Sequence, residues 1–217
     1  MSNVILHGFW RSGTTYRTRI ALNLKRVEYK IKPINLRAGE HSQDLYRALQ
    51  PQGLVPVLEV DGKVLIQSPA IIEWLEETYP DPALLPRTSL ARSVVRAMAA
   101  AVGCDIHPLN NLRVLQALKA DLSASQTQIE AWTHRWITAG FDALELLIER
   151  YGGKFCFGDT PSVADCYLIP QIYSAERFGI DLNPYASIRR VNASAEQLDA
   201  FQRARPEQQP DAPPAVV

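Results

Sequence analysis

Leu54-Val55-Pro56-Val57-Leu58-Glu59-Val60-Asp61-Gly62-Lys63-Val64-Leu65-Ile66-Gln67-Ser68-Pro69 places a proline turn, two short apolar runs and a helix start in immediate succession. Val57 to Val60 and Lys63 to Ile66 are joined by Asp61-Gly62, the strongest short signal for a β-hairpin. Ser68 suits an N-cap and Pro69 the first helical position. Ile71, Ile72 and Leu75 then form an apolar stripe, so a helix is expected to open at Ser68. Pro56, entering an edge strand, marks a tight turn compatible with a cis peptide. Such a turn exposes the N–H and C=O of Val55 to a peptide-like ligand.

Upstream of this stretch, Val4 to His7 is a short apolar run ending at Gly8, and Tyr29 to Lys32 alternates before Pro33. Thr15 to Arg26 between them carries Ile20, Ala21 and Leu24 at helical spacing, and His41 to Gln50 reads as a short helix. The order β-α-β-α-β-β-α makes the first two strands parallel, with a right-handed crossover, and the last two antiparallel. That is an α/β thioredoxin-like arrangement, expected over residues 1–84. Pro86-Arg87 reads as a linker, and residues 88–217 are expected to form an all-helical domain carrying a substrate pocket and a proline-rich tail. In it, Ile129, Trp132, Trp136, Ile137, Leu144, Leu147 and Ile148 trace one apolar face that ends at Gly152-Gly153. Pro108 is expected to break or kink the helix preceding it. Ser162-Val163-Ala164-Asp165 has capping-box spacing, with aspartate in place of glutamate. The tail after Arg205 is expected to be ordered at first and then frayed.

Composition is that of an ordinary globular chain, with 47% hydrophobic and 21% charged among 217 residues. Lys plus Arg and Asp plus Glu are 23 each, so bulk charge gives no reason to expect nucleic acid or an anionic membrane as partner. No apolar stretch approaches the ~18 residues of a membrane span, and the first residues lack the pattern of a signal peptide. Cys104, Cys156 and Cys166 have no metal-ligand spacing and read as reduced thiols of a cytoplasmic protein, with Cys104 and Cys166 as buried filler and no metal site expected.

The chemistry gathers where the first strand meets the first helix. Dithiol exchange needs Cys-x-x-Cys there, whereas the turn reads Arg11-Ser12-Gly13-Thr14-Thr15-Tyr16-Arg17. What remains is a helix N-terminus with hydroxyls and an arginine, a setting that stabilises an anion such as a thiolate. A free thiol with pKa near ~8.5 is only a few per cent ionised at neutral pH, and lowering that value by about one or two units raises the fraction several-fold to more than tenfold. If the anion held here is a thiolate, it must come from a bound cofactor, because the turn itself has no thiol. Ser12 and Thr14 read equally well as plain helix caps, as does Ser68, whose helix N-terminus is otherwise suited to a carboxylate.

Phe9-Trp10-Arg11-Ser12-Gly13-Thr14-Thr15-Tyr16-Arg17-Thr18-Arg19-Ile20-Ala21-Leu22 resembles the signature of zeta-class glutathione transferases. Asn35, Leu49-Gln50-Pro51, Val55-Pro56-Val57 and Gln67-Ser68-Pro69-Ala70-Ile71-Ile72-Glu73-Trp74-Leu75-Glu76 follow in that class's order. Cys104-Asp105-Ile106-His107-Pro108-Leu109-Asn110-Asn111, Gly158-Asp159-Thr160-Pro161-Ser162-Val163-Ala164-Asp165 and Gln209-Pro210-Asp211-Ala212-Pro213-Pro214 extend the resemblance over essentially the whole chain. Within the class it is similar to the maleylacetoacetate isomerase family and its bacterial maleylpyruvate-isomerising members. Gly13 and Thr14 depart from the commoner Ser-Ser-Cys, which removes a cysteine from the turn but leaves isomerisation through glutathione intact.

The resemblance implies a cytoplasmic homodimer with glutathione as cofactor and a small dicarboxylic keto acid as substrate. Ser12 or Thr14 would donate to the glutathione sulfur, and His41, Gln52, Val55, Gln67 and Ser68 would hold the tripeptide. Asp105, His107 and Asn111, on a long helix facing the partner subunit, would complete the neighbouring site. Addition of the thiolate to the cis alkene, rotation and elimination would convert maleylpyruvate to fumarylpyruvate. Substrate carboxylates call for arginine: Arg11 first, Arg177 second, with Arg113 lining the same cavity. Arg17 and Arg19 are expected to pair with acids or to cover the first helix with their stems. Maleylacetoacetate isomerisation, transfer to α-haloacids and non-catalytic glutathione binding are the alternatives.

Overall fold

The computed structural model describes residues 3–214. Two compact units form: Met1–Ala83 with Glu196–Val217, and Leu84–Ala195. In the first, β1 (Val4–Gly8), α1 (Gly13–Leu24), β2 (Lys30–Pro33), α2 (Asp44–Arg47), β3 (Val57–Val60), β4 (Lys63–Ile66) and α3 (Ser68–Thr78) follow one another. The sheet order is β2-β1-β3-β4, with β1 and β2 parallel and the other pairs antiparallel. His7 pairs with Val57, and Val57 with Ile66. The end of β1, the start of β3 and the end of β4 therefore share one end of the sheet. Pro33 is tolerated in β2 because that strand is an edge.

Leu6 and Leu58 of the sheet, Ile20 of α1, and Ile71, Ile72 and Leu75 of α3 are fully buried; each contributes about 1.5–3 kcal/mol by leaving water. Lys25, just past α1, donates to Glu76 of α3 at 2.5 Å and to the Pro82 carbonyl at 2.7 Å, a buried charge with partners on both sides. Gly8 lets α1 start close to the sheet, since a Cβ there would collide with the buried side chain of Thr15. The segment expected as one helix from His41 is a 3-10 turn, Glu40–Ser42, followed by the short α2. Ser68 is the first residue of α3 rather than its N-cap. Gln67 takes the cap position with φ of 67° and makes no capping bond through its side chain.

The second unit is helical: α4 (Ser89–Ala100), α5 (Leu112–Asp121), α6 (Gln126–Tyr151), α7 (Val163–Arg177) and α8 (Ala186–Ala195). Between α4 and α5 the backbone widens into a π turn over Ala101–Ile106, and Pro108 opens a 3-10 turn, Pro108–Asn110. The long helix expected to carry Asp105, His107 and Asn111 is thus interrupted: Asp105 lies in the π turn, His107 precedes Pro108, which cannot donate an N–H, and Asn111 caps α5. The buried stripe of α6 is Thr133, Ile137, Phe141, Leu144 and Ile148, with the tryptophans to one side of it. Ile106 packs where Gly140 leaves room, since a Cβ on that glycine would overlap its side chain. Cys156 and Cys166 are buried, but Cys104 lies exposed on the π turn, against expectation. No helix among the described residues is long and apolar enough to cross a membrane.

The chain then returns to the first unit, so the tail does not belong to the helical domain as its position in the sequence suggested. α9 (Asp199–Ala204) packs on α1: Arg19 Nε donates to the Ala204 carbonyl at 2.9 Å, and Asn23 Nδ2 to the Ala200 carbonyl at 2.8 Å. Arg19 is buried among main-chain carbonyls instead of pairing with an acid. Burial lowers its pKa to about 10, which still leaves it charged at neutral pH.

The capping box at the start of α7 centres on Asp165. This fully buried carboxylate accepts from Ser162 N and Ser162 Oγ, both at 2.7 Å, and from Cys156 N at 2.8 Å. Asp165→Ala strands three buried donors, so unfolding free energy is expected to fall by about 3 kcal/mol. Urea denaturation checks this; an unchanged midpoint and slope would contradict it.

Candidate active site

The turn after β1 is closed by Ser12 N donating to the Phe9 carbonyl at 3.0 Å, with Trp10 and Arg11 at its corner. Ser12 is the N-cap of α1, its Oγ accepting from Thr15 N at 3.3 Å. This leaves the first-turn N–H groups of Gly13 and Thr14 without an intrahelical acceptor. Thr14 Oγ1 donates to the Val55 carbonyl at 2.8 Å and lies 2.9 Å from Ser12 Oγ. A hydroxyl has one proton and Thr14 gives its proton to Val55, so Ser12 is the donor of the second bond. The Arg11 guanidinium lies 5.4 Å from the Trp10 ring centroid.

The loop carrying Val55 is set by a cis Val55-Pro56 peptide and by Tyr46, whose hydroxyl donates to the Leu54 carbonyl at 2.8 Å. Gly53, at φ of 64°, passes so close to the His41 carbonyl that a Cβ would sit 2.8 Å from it. His41 thereby lies against the same loop, and its Nδ1 is buried without a hydrogen-bond partner. Gln67 Nε2 donates to Gln52 Oε1 at 2.5 Å, and Gln52 N donates to Gln50 Oε1 at 2.6 Å. Ser68 is buried at the N-terminus of α3, which no side chain caps. One end of the sheet thus gathers Ser12, Thr14, His41, Gln52, Val55, Gln67 and Ser68 beside two helix N-termini, a field suited to anionic groups.

The remaining candidates lie in the helical unit. Asp105 and Arg113 are exposed, and His107 is half-buried. Asn111 caps α5 by accepting from Arg113 N at 3.2 Å. Arg177 is exposed in the last turn of α7, with its guanidinium 5.5 Å from the Phe178 ring centroid. Gln50 and Asp211 had no role assigned from sequence, and Arg19 was expected only to pair with acids or cover the first helix. Gln50 is buried and orders Gln52. Arg19 Nη2 donates to the Trp10 carbonyl at 3.0 Å, and Asp211 Oδ2 accepts from Trp10 N at 2.9 Å. The proline-rich tail carries two carboxylates, Glu207 and Asp211, and nothing in the sequence singles out Asp211 between them.

This fold and site define a glutathione transferase. The family profile "Glutathione S-transferase, N-terminal domain" matches residues 11–78, and "Glutathione S-transferase, C-terminal domain" matches residues 130–204. The chain belongs to that family. It is 56% identical to a maleylpyruvate isomerase of Ralstonia sp over 95% of this chain and 98% of that one. It is 50% identical to a maleylacetoacetate isomerase of Pseudomonas aeruginosa, over 97% and 99% respectively. Among solved structures, a holo maleylpyruvate isomerase described as a bacterial zeta-class glutathione transferase superposes with a TM-score of 0.94 at 55% identity, covering 96% of this chain and all of that one. A maleylacetoacetate isomerase of Anaeromyxobacter dehalogenans 2CP-1, with dicarboxyethyl glutathione and citrate in its active site, gives 0.87 at 41% identity, covering 98% and 99%.

Proposed function

We propose that this chain is a glutathione-dependent isomerase that converts maleylpyruvate to fumarylpyruvate, the cis to the trans dicarboxylic keto acid, in aromatic degradation. The observation that carries the reading is a thiol-free helix N-terminus, with Ser12 and Thr14 at its cap, in a chain 56% identical to a maleylpyruvate isomerase. Glutathione fits the residues present: peptide groups at Val55, a buried His41 nitrogen without a partner, and an uncapped α3 for a carboxylate. When bound, it supplies the nucleophilic thiolate that makes the double bond temporarily single.

Ser12 is the residue that meets the sulfur. Its hydroxyl redirects by rotation about one bond, giving up only its contact with Thr14, whereas Thr14 would have to release the Val55 carbonyl. Thr14 instead fixes the loop whose Val55 peptide pairs with the tripeptide. His41, Gln52, Gln67 and Ser68 bind its remaining polar ends, Gln52 and Gln67 as a hydrogen-bonded pair. Arg11, next to Ser12 in the turn with its guanidinium over the Trp10 ring, takes a substrate carboxylate in a two-pronged bond and steadies charge developing on the keto side. Arg177 and Arg113 are assigned to the far end of the substrate. Asp105, which is exposed, and His107 and Asn111, which are half-buried, are assigned to the neighbouring site of a cytoplasmic homodimer.

Purified protein is expected to isomerise maleylpyruvate, followed by its ultraviolet absorbance, only with glutathione present and faster than maleylacetoacetate. Faster turnover of maleylacetoacetate would move the reading to its 50% identical relative's reaction, and no turnover of either would end it. Arg11→Ala is expected to lower kcat/KM for the keto acid at least about tenfold while the KM for glutathione changes by less than about twofold. Unchanged keto-acid turnover in that variant would remove Arg11 from the mechanism.

A further inference from the structure

The turn that presents Arg11 and Ser12 is closed by a single backbone bond, from Ser12 N to the Phe9 carbonyl. Trp10, at its corner, has both an N–H and a C=O that this bond leaves unsatisfied. Side chains take both: Asp211 accepts from Trp10 N at 2.9 Å, and Arg19 donates to Trp10 O at 3.0 Å. The two clamps are linked from behind, since Arg19 also donates to the Ala204 carbonyl and the negative charge of Asp211 offsets part of the desolvation of Arg19.

Asp211 is itself held in place. It lies in a turn closed by Ala212 N donating to the Gln209 carbonyl at 3.0 Å. Gln209 is buried and folds back, its Nε2 donating to the carbonyls of Arg203 and Arg205 at 2.9 and 2.7 Å. Pro206, also buried, opens the 3-10 turn at the start of the strap. The tail is thus a built element that ends on one backbone amide of the active-site turn. The second carboxylate oxygen, Oδ1, is buried with no hydrogen-bond partner, so the cost of desolvating this acid is offset mainly at Trp10 and Arg19.

We propose that Asp211, carried by the C-terminal strap, is a positioning residue that holds the Trp10 peptide and thereby aims Arg11 and Ser12. The proposal rests on the reading of Arg11 and Ser12 as working groups. Asp211 touches no reacting atom. Its loss lets the corner of the turn relax, and a displacement of about 1 Å there costs one to two orders of magnitude in rate.

Full-length Asp211→Ala, Asp211→Asn and Arg11→Ala are compared with the wild type by keto-acid turnover in glutathione and by amide hydrogen exchange of the peptide spanning residues 8–13. Asp211→Ala is expected to lower kcat about tenfold, leave the KM for glutathione within about twofold, and speed exchange in that peptide. Asp211→Asn keeps an acceptor for Trp10 N and is expected to recover most of kcat and of the protection. Wild-type kcat in Asp211→Ala, or an Asp211→Ala defect with unchanged exchange, would overturn the proposal; so would an asparagine variant as impaired as the alanine one. Failure of the functional reading has a separate signature: Arg11→Ala would then turn over like the wild type, which removes the catalytic part of the proposal whatever Asp211→Ala does.

Discussion

The N-terminus of α1 is the constraint on which the rest of the site depends. A helix that begins directly after a strand presents several N–H groups with no acceptor inside the helix. Here Ser12 satisfies only one of them, through Thr15 N, while the Thr14 hydroxyl reaches across to the Val55 carbonyl. That arrangement couples the anion-attracting end of α1 to the loop before β3. Because β1, β3 and β4 meet at this end in fixed register, Gln67 and Ser68 join the same group with no further device. The fold thus converts an unavoidable deficit of acceptors into a place for negative charge.

Much of this was legible from residues alone. The limits of β3 and β4 were readable because Asp61-Gly62 fixes a hairpin and the flanking runs are apolar. The stop of α6 at Gly152 and the box at Ser162–Asp165 followed from cap chemistry, which is local, whereas α1 runs over Gly13–Leu24, two residues earlier at each end than the expected Thr15 to Arg26. The order of elements then led to a thioredoxin-like sheet, and the motif around Arg11 to Ser12 and Thr14.

What was not legible depends on contacts distant in sequence or on unusual backbone. Nothing marks Gln67 for a positive φ, so Ser68 read as the cap. Arg19 looked like a surface arginine because its acceptors, the Trp10 and Ala204 carbonyls, come from opposite ends of the chain. The tail read as peripheral for the same reason: its anchor is a backbone amide near residue 10, and backbone groups leave no trace in sequence. The π turn hid the exposure of Cys104, which an unbroken helical pattern would have buried.

Isomerisation asks the protein for three things: an ionised thiol, a carboxylate anchor and a place for enolate charge. Only the first can be met by the α1 N-terminus and Ser12, and without it the others have nothing to act on. The most direct measurement is therefore the pH titration of protein-bound glutathione, followed by its thiolate ultraviolet band, in the wild type and in Ser12→Ala. The bound thiol is expected to ionise at least about one unit below a free thiol's ~8.5, and Ser12→Ala to move it back up. Ionisation of the bound thiol at the free value, indifferent to Ser12, would contradict that expectation.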